Sequence, residues 1–170
     1  MIKIEQDGAF VILFKDDSRR EVFLVFRSDY PVWVLTGGGM EKGETPEQTA
    51  VREALEESGF KIKIVRKLWI AKKTSGHTTH VYEGRRISGE FKPEFPGCRD
   101  QWFNINHLPF ETLYKTRVRI KEAANFSGEP ITKYSPAARA VEFVDPSKII
   151  DLAPADTAPF NVAVQSAASV

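Results

Sequence analysis

Short apolar runs broken by turn signals fill the first third of the chain. Residues 9–14 (AFVILF) form an unbroken apolar run, as expected of a buried strand. Asp16, Asp17 and Ser18 read as a turn, and residues 21–27, rich in Val and Phe, as the returning strand of a hairpin. Residues 32–35 form another short strand, which runs into Thr36-Gly37-Gly38-Gly39, a stretch read as irregular. The pattern then turns helical. Thr45 suits an N-cap, Pro46 suits the first helical position, and Gln48 completes a capping box with Thr45. Gly59 stands where a left-handed C-terminal cap belongs. The punctuation predicts a helix over 46–58. Strands follow over 61–69, 79–85 and 101–105, with Pro93, Pro96 and Gly97 marking the loop between the last two. A second helix is expected over 111–124. Strands on both sides of one helix, with a later helix, give an α/β (α+β) sandwich.

The length of 170 residues fits one domain, expected over 1–150. Residues 151–170 are rich in Ala, Pro and Ser and hold no Lys or Arg, so a poorly ordered tail is expected, docked at most by Phe160 and Val162. Net charge is only +1, which demands neither nucleic acid nor membrane. The charge is uneven, however. Residues 61–139 carry 16 Lys and Arg against 7 Asp and Glu, and the remainder 8 against 16. A basic half beside an acidic half suits an anionic substrate bridged to carboxylates by metal, although solvated surface gives the same counts. The single cysteine, Cys98, allows no internal disulfide. No apolar run approaches the ~20 residues of a membrane span, and the start of the chain lacks a signal peptide's apolar core, so a cytoplasmic protein is expected.

The chemistry lies in the first helix. At 100° per residue, Thr49, Arg52, Glu53, Glu56 and Glu57 share one arc, and Ala50, Val51, Ala54, Leu55 and Ser58 the other. The second arc is expected to be buried. Glu53, Glu56 and Glu57 are helical neighbours, and like charges at that spacing repel by roughly 0.2–0.5 kcal/mol per pair. Only Arg52 stands by to compensate, and Glu44 adds a further carboxylate before the helix. A water-facing polar arc would accept this arrangement at some cost. A hard divalent cation would require it, because Mg²⁺ takes oxygen ligands and keeps several waters. The open positions then accept phosphate oxygens and an attacking water.

Gly38, five residues, Glu44, seven residues, then Arg52-Glu53-Ala54-Leu55-Glu56-Glu57-Ser58-Gly59-Phe60 resembles a complete Nudix box. Trp33 before the glycines, and Trp102-Phe103 with Leu108-Pro109 downstream, resemble the family's flanks. The resemblance implies an α/β/α sandwich with a mixed β-sheet. It implies Mg²⁺ or Mn²⁺ held by Glu53, Glu56 and Glu57, with a backbone carbonyl at Gly37 or Gly38 as a further ligand. Arg52 would orient the glutamates, and Glu44 would support the site or help activate water. The reaction would be attack of water on phosphorus in a substituted nucleoside diphosphate. Two departures stand out. Thr36 replaces a proline common in the family, and no glutamate stands at a decisive position before Trp102, where Glu94 and Asp100 are both candidates.

Other residues extend the site. Arg27 ends a strand close to the glycines and could hold a phosphate as easily as face solvent. His77, His80 and Tyr82 are candidates for the substrate pocket. The odd spacing of the two histidines puts them on opposite strand faces, which makes them a poor metal pair. Lys115, Arg117, Arg119 and Lys121 spread around the second helix, a weak footprint for RNA. Signatures of the ADP-ribose, diadenosine polyphosphate, NADH and coenzyme A subgroups are absent. Nucleoside triphosphates, nucleotide sugars and RNA 5′ ends are left as substrates. A catalytically inactive nucleotide sensor and an isoprenoid diphosphate isomerase are the alternatives of another class. A second copy of the chain, joined through the Phe-rich N-terminal strands, is the candidate protein partner.

Overall fold

The structure is a computed structural model, and it describes residues 6–135. The tail over 151–170 therefore lies outside the described residues. Ten elements follow one another along the chain: β1 (Gly8–Leu13), β2 (Glu21–Arg27), β3 (Val32–Val34), β4 (Thr36–Gly39), α1 (Pro46–Ser58), β5 (Lys61–Lys73), β6 (Thr78–Ser88), β7 (Arg99–Asn104), α2 (Tyr114–Ala124) and β8 (Ile131–Ser135). The strands form a mixed five-stranded sheet in the order β4-β1-β6-β5-β8 and an antiparallel three-stranded sheet in the order β3-β2-β7.

Two apolar clusters lie on opposite faces of the strands. One, around Ala9, Val11, Leu13, Phe23 and Tyr82, takes Ala50 and Ala54 of α1. The other, around Ile12, Leu24, Trp33, Trp69 and Val81, takes Ile120 and Ala123 of α2. Alternation along β1 explains this, since successive side chains of a strand point to opposite faces and both faces are covered. The α/β/α layering expected from the sequence is thus present.

The hairpin reading of β1 and β2 fails. The two strands enter different sheets, and their antiparallel pairing is confined to the bridge of Phe14 with Val22 beside the turn. Residues 36–39 are also not irregular, for they pair in antiparallel register with β1, Gly37 opposite Phe10 and Gly38 opposite Ala9. Glycine is compatible with this pairing because the strands pack too closely for a side chain. A Cβ on Gly37 would lie 2.4 Å from the Ala9 carbonyl oxygen. The second helix starts at Tyr114 rather than 111, because residues 111–113 are spent elsewhere. Trp33 N–H donates to Glu111 O, and Thr112 bridges to Trp33. Strand β8 escaped the sequence reading, since its parallel pairing with the far edge of β5 is non-local.

Helix α1 has the expected ends. Thr45 Oγ1 accepts from Gln48 N–H at 3.2 Å, Gln48 Oε1 accepts from Thr45 N–H at 2.8 Å, and Gly59 adopts φ 74°. Thr45→Ala is expected to cost about 1 kcal/mol in urea unfolding, the usual loss of an N-cap. The buried face differs from the expected arc. Thr49, Ala50, Ala54 and Ser58 are buried, whereas Val51 and Leu55 are exposed. Small side chains let the helix approach β1 and β4, and this turns the edge bearing Glu53 and Glu57 onto the glycine strand.

Candidate active site

That contact defines the site. Glu57 Oε2 accepts the Gly37 N–H at 2.9 Å. A Cβ on Gly38 would lie 2.5 Å from the Glu53 carboxyl, so only glycine lets this carboxylate sit against β4. The two carboxylates respond to their burial. Glu57 is pushed up to about 7, chiefly by burial, with the charges of Glu53 and Glu94 adding to it and the Gly37 N–H opposing. Glu53 is also raised by burial, against the pull of Arg52.

Arg52 organises the other acids. Its Nε donates to Glu44 Oε1 at 2.7 Å, its Nη1 to Glu53 Oε1 at 2.8 Å and Glu56 Oε2 at 3.0 Å, and its Nη2 to Gly39 O at 3.0 Å. Glu44 also accepts from Thr49 Oγ1 and from the Glu41 N–H, each near the ideal distance. The Arg52 hydrogen bond, foremost, holds the Glu44 carboxyl down to about 2. The guanidinium therefore ties the loop before α1 to the helix and to β4 at once, which is the geometry of a positioning residue.

Not all of the residues singled out from the sequence come together. Glu53 and Glu57 meet the glycines, while Glu56 is turned toward Arg52 with its side chain 54% exposed. The Gly38 carbonyl faces Gly8 of β1. Among the described residues, no three acidic, thiol or imidazole side chains are preassembled around one point. Glu94 acts electrostatically on Glu53, Glu57 and Arg27, whereas Asp100 sits on β7 opposite Val25 with Arg86 as its charged neighbour. The Ser28 Oγ bond to Pro96 O ties the loop that carries Glu94 to the end of β2.

Arg27 is bound bidentately by Asp29 at 3.0 and 2.8 Å and stacks on Phe95, a pairing that the sequence reading did not anticipate. His77 precedes β6 in a turn. His80 and Tyr82 lie on β6, on the face toward α1. Burial lowers His80, whose buried Nδ1 has no hydrogen-bond partner among the described residues. Tyr82 is fully buried in the core under α1, pushed up to about 12 by burial, with Lys67 over its ring.

The donor set fits a hard divalent ion. Two desolvated carboxylates with a third nearby are all oxygen donors, and their mutual repulsion is what a cation relieves. An ion such as Mg²⁺ needs few protein ligands, because it keeps waters in the remaining positions.

A family model described as the NUDIX domain matches residues 5–162. The chain belongs to the Nudix family. As a Nudix protein it is a hydrolase acting on phosphoanhydride bonds. A relative from Bacillus subtilis (strain 168), provisionally named an 8-oxo-dGTP diphosphatase, is 39% identical over 122 residues, 69% of this chain and 79% of that one. Human diphosphoinositol polyphosphate phosphohydrolase 2 is 43% identical over 125 residues, 66% of this chain and 69% of its own. That relative's name gives a substrate class that the sequence reading did not consider. An ADP-ribose pyrophosphatase structure from Streptococcus suis superposes with a TM-score of 0.60 at 22% identity, covering 74% of this Nudix chain and 97% of that one. A UDP-X diphosphatase structure gives 0.57 at 23%, covering 77% and 68%. Both likenesses bear on the fold alone.

Proposed function

We propose that this Nudix hydrolase cleaves a diphosphate linkage in a nucleoside diphosphate joined to another group, with Mg²⁺ or Mn²⁺ bound by Glu53 and Glu57 and with Glu56 recruited to them. One observation carries this reading. Glu57 is desolvated against the bare edge of β4 beside two other acids, with no cation bonded to it among the described residues. A bound divalent ion would supply charge neutralisation for phosphate oxygens and an acidified water. The chain's own groups do the rest. Arg52 fixes Glu53 and Glu44 relative to β4, Glu94 accepts a proton from the attacking water, and Arg27 turns from Asp29 to a phosphate oxygen. Gly37 and Gly38 let Glu57 and Glu53 lie against β4, and the diphosphate is held beside these carboxylates. The complete set of box glutamates favours turnover over a sensor role. A small nucleotide-type substrate in the cytoplasm, such as a nucleoside triphosphate or a nucleotide sugar, fits this reading.

A turnover screen with product masses tests it. The panel holds canonical nucleoside triphosphates, 8-oxo-dGTP, nucleotide sugars, a diphosphoinositol polyphosphate and triphosphate-ended RNA, each with Mg²⁺, with Mn²⁺ and with chelator. Turnover of one class, lost with chelator, is the expected result. Turnover of RNA ends alone moves the reading to a 5′-end pyrophosphohydrolase. A folded, metal-binding chain inert on the whole panel is a sensor.

A further inference from the structure

Arg119 is partly buried on α2, with its guanidinium carbon 4.7 Å from the centre of the Phe10 ring. Every other arginine among the described residues that is not exposed donates hydrogen bonds. Arg19, Arg66 and Arg85 share Glu83, Arg27 holds Asp29, Arg52 holds its glutamates, and Arg117 donates to loop carbonyls. Among the described residues Arg119 donates none and forms no ion pair. The acid whose charge acts on it, Glu122, is engaged by Lys133 Nζ at 2.7 Å. Burial holds Arg119 below the ordinary arginine value. A partly desolvated guanidinium whose neighbouring acid is engaged elsewhere is costly, and such sites cluster where a ligand completes them.

Its position says which ligand. Phe10, which carries Arg119, is paired with Gly37, and β4 is the outer strand of its sheet. Glu57 is bonded to Gly37 N–H at that strand, and Glu53 meets Gly38 on the face toward α1. Phe10 points to the opposite face, toward α2. The space a side chain would take at Gly37, Gly38 and Gly39 is filled by β1, Glu53 and Gln6, so what β4 offers a ligand is its outer backbone edge between the two faces. A ligand whose diphosphate lies at Glu53 and Glu57 would cross that outer edge to reach Arg119.

We propose that Arg119 binds a phosphate that the substrate carries outside the diphosphate linkage presented to Glu53 and Glu57. The substrate class is accordingly a polyphosphorylated one. The planar fork suits phosphate bidentately, and the Phe10 ring beneath fixes its plane. The proposal rests on the hydrolase reading only for where the diphosphate lies.

The test is calorimetric binding in Mg²⁺ of two probes. Inositol hexakisphosphate carries phosphate monoesters and no anhydride, and inorganic pyrophosphate carries the anhydride alone. Arg119→Gln is expected to weaken inositol hexakisphosphate by about 10-fold or more, the loss of one charge-assisted pair, and to leave pyrophosphate within about 2-fold. Arg119→Lys, which keeps the charge without the fork, is expected to fall between, and it carries the test if the glutamine variant fails to fold. No binding of inositol hexakisphosphate by the native chain overturns the proposal. So does equal binding by native and Arg119→Gln protein, or an equal loss of both probes. Because binding needs no hydrolysis, Arg119-dependent binding in a chain that turns nothing over overturns the hydrolase reading and leaves this site standing.

Discussion

Replacing Glu57 by glutamine is expected to lower kcat by about 10²–10³-fold without destabilising the metal-free protein. Two effects with opposite consequences meet at this residue. The carboxylate is desolvated against β4, and the Gly37 N–H and the Arg27 charge offset only part of the cost of its charge, which a bound cation would relieve further. The amide keeps an oxygen for the Gly37 N–H and removes the charge, which is why folding does not suffer. It also removes an ionic ligand from a centre asked for about 3–4 kcal/mol of transition-state stabilisation, which corresponds to that loss of rate. Single-turnover rates and thermal melts with and without Mg²⁺ separate the two. Turnover retained within about 10-fold would remove Glu57 from the chemistry. A large fall in the metal-free melting temperature would make it a structural residue instead.

Glu83 should behave in the opposite way. Its side chain is fully buried and receives three guanidiniums. Arg19 Nη2 and Arg66 Nε lie 2.9 Å from Oε2, and Arg85 Nη2 lies 2.8 Å from Oε1. Arg19 and Arg66 also donate to the Phe126 carbonyl at 3.0 and 2.8 Å, so one carboxylate joins the β1–β2 turn, β5, β6 and the segment after α2. Glu83→Ala leaves three cations facing one another without a counter-charge. Breaking a buried pair costs about 3–5 kcal/mol, and the low end applies because the guanidiniums are partly exposed. Urea unfolding reads this directly, and kcat at low temperature should stay within a few-fold of the native value. Loss below about 1 kcal/mol would mean that the network is not cooperative.

The same network sets a pH dependence. Burial pushes Glu83 upward, but the hydrogen bonds from Arg85, Arg66 and Arg19 together outweigh it and hold the carboxyl below the usual glutamate range. A lowered folded pKa means that the unfolded chain binds the proton first on acidification. The contribution of Glu83 is therefore complete above the ordinary glutamate range and is lost as pH falls through the folded value. Native protein should lose stability over that acidic window, and Glu83→Gln should show a shallower slope there.

The legibility of this protein divides by the range of the forces involved. Helix α1 was readable to the residue because Thr45, Pro46, Gln48 and Gly59 act on their own neighbours within one turn. The box glutamates were readable because the repulsion among Glu53, Glu56 and Glu57 is set by helical spacing alone. The buried arc of α1 was not fully readable. Val51 and Leu55 are apolar, yet small residues won the contact, since the helix must come close enough to bring Glu53 and Glu57 to β4. The strand character of residues 36–39 was also hidden, because it comes from pairing with β1 across a long stretch of chain.

The sequence by itself thus determined the punctuation of the helix, the acid pattern and the kind of chemistry that pattern serves, all of which depend on groups a few residues apart. Tertiary structure decided that Glu53 and Glu57 meet the glycines while Glu56 is turned to Arg52, that the charge of Glu94 rather than of Asp100 is felt by these glutamates, that Arg27 is held by Asp29, and that Arg119 has no ion pair among the described residues. Those are statements about desolvation and long-range charge. The free energy of a buried ion is set by whatever the fold packs around it, and no local pattern along the chain encodes that.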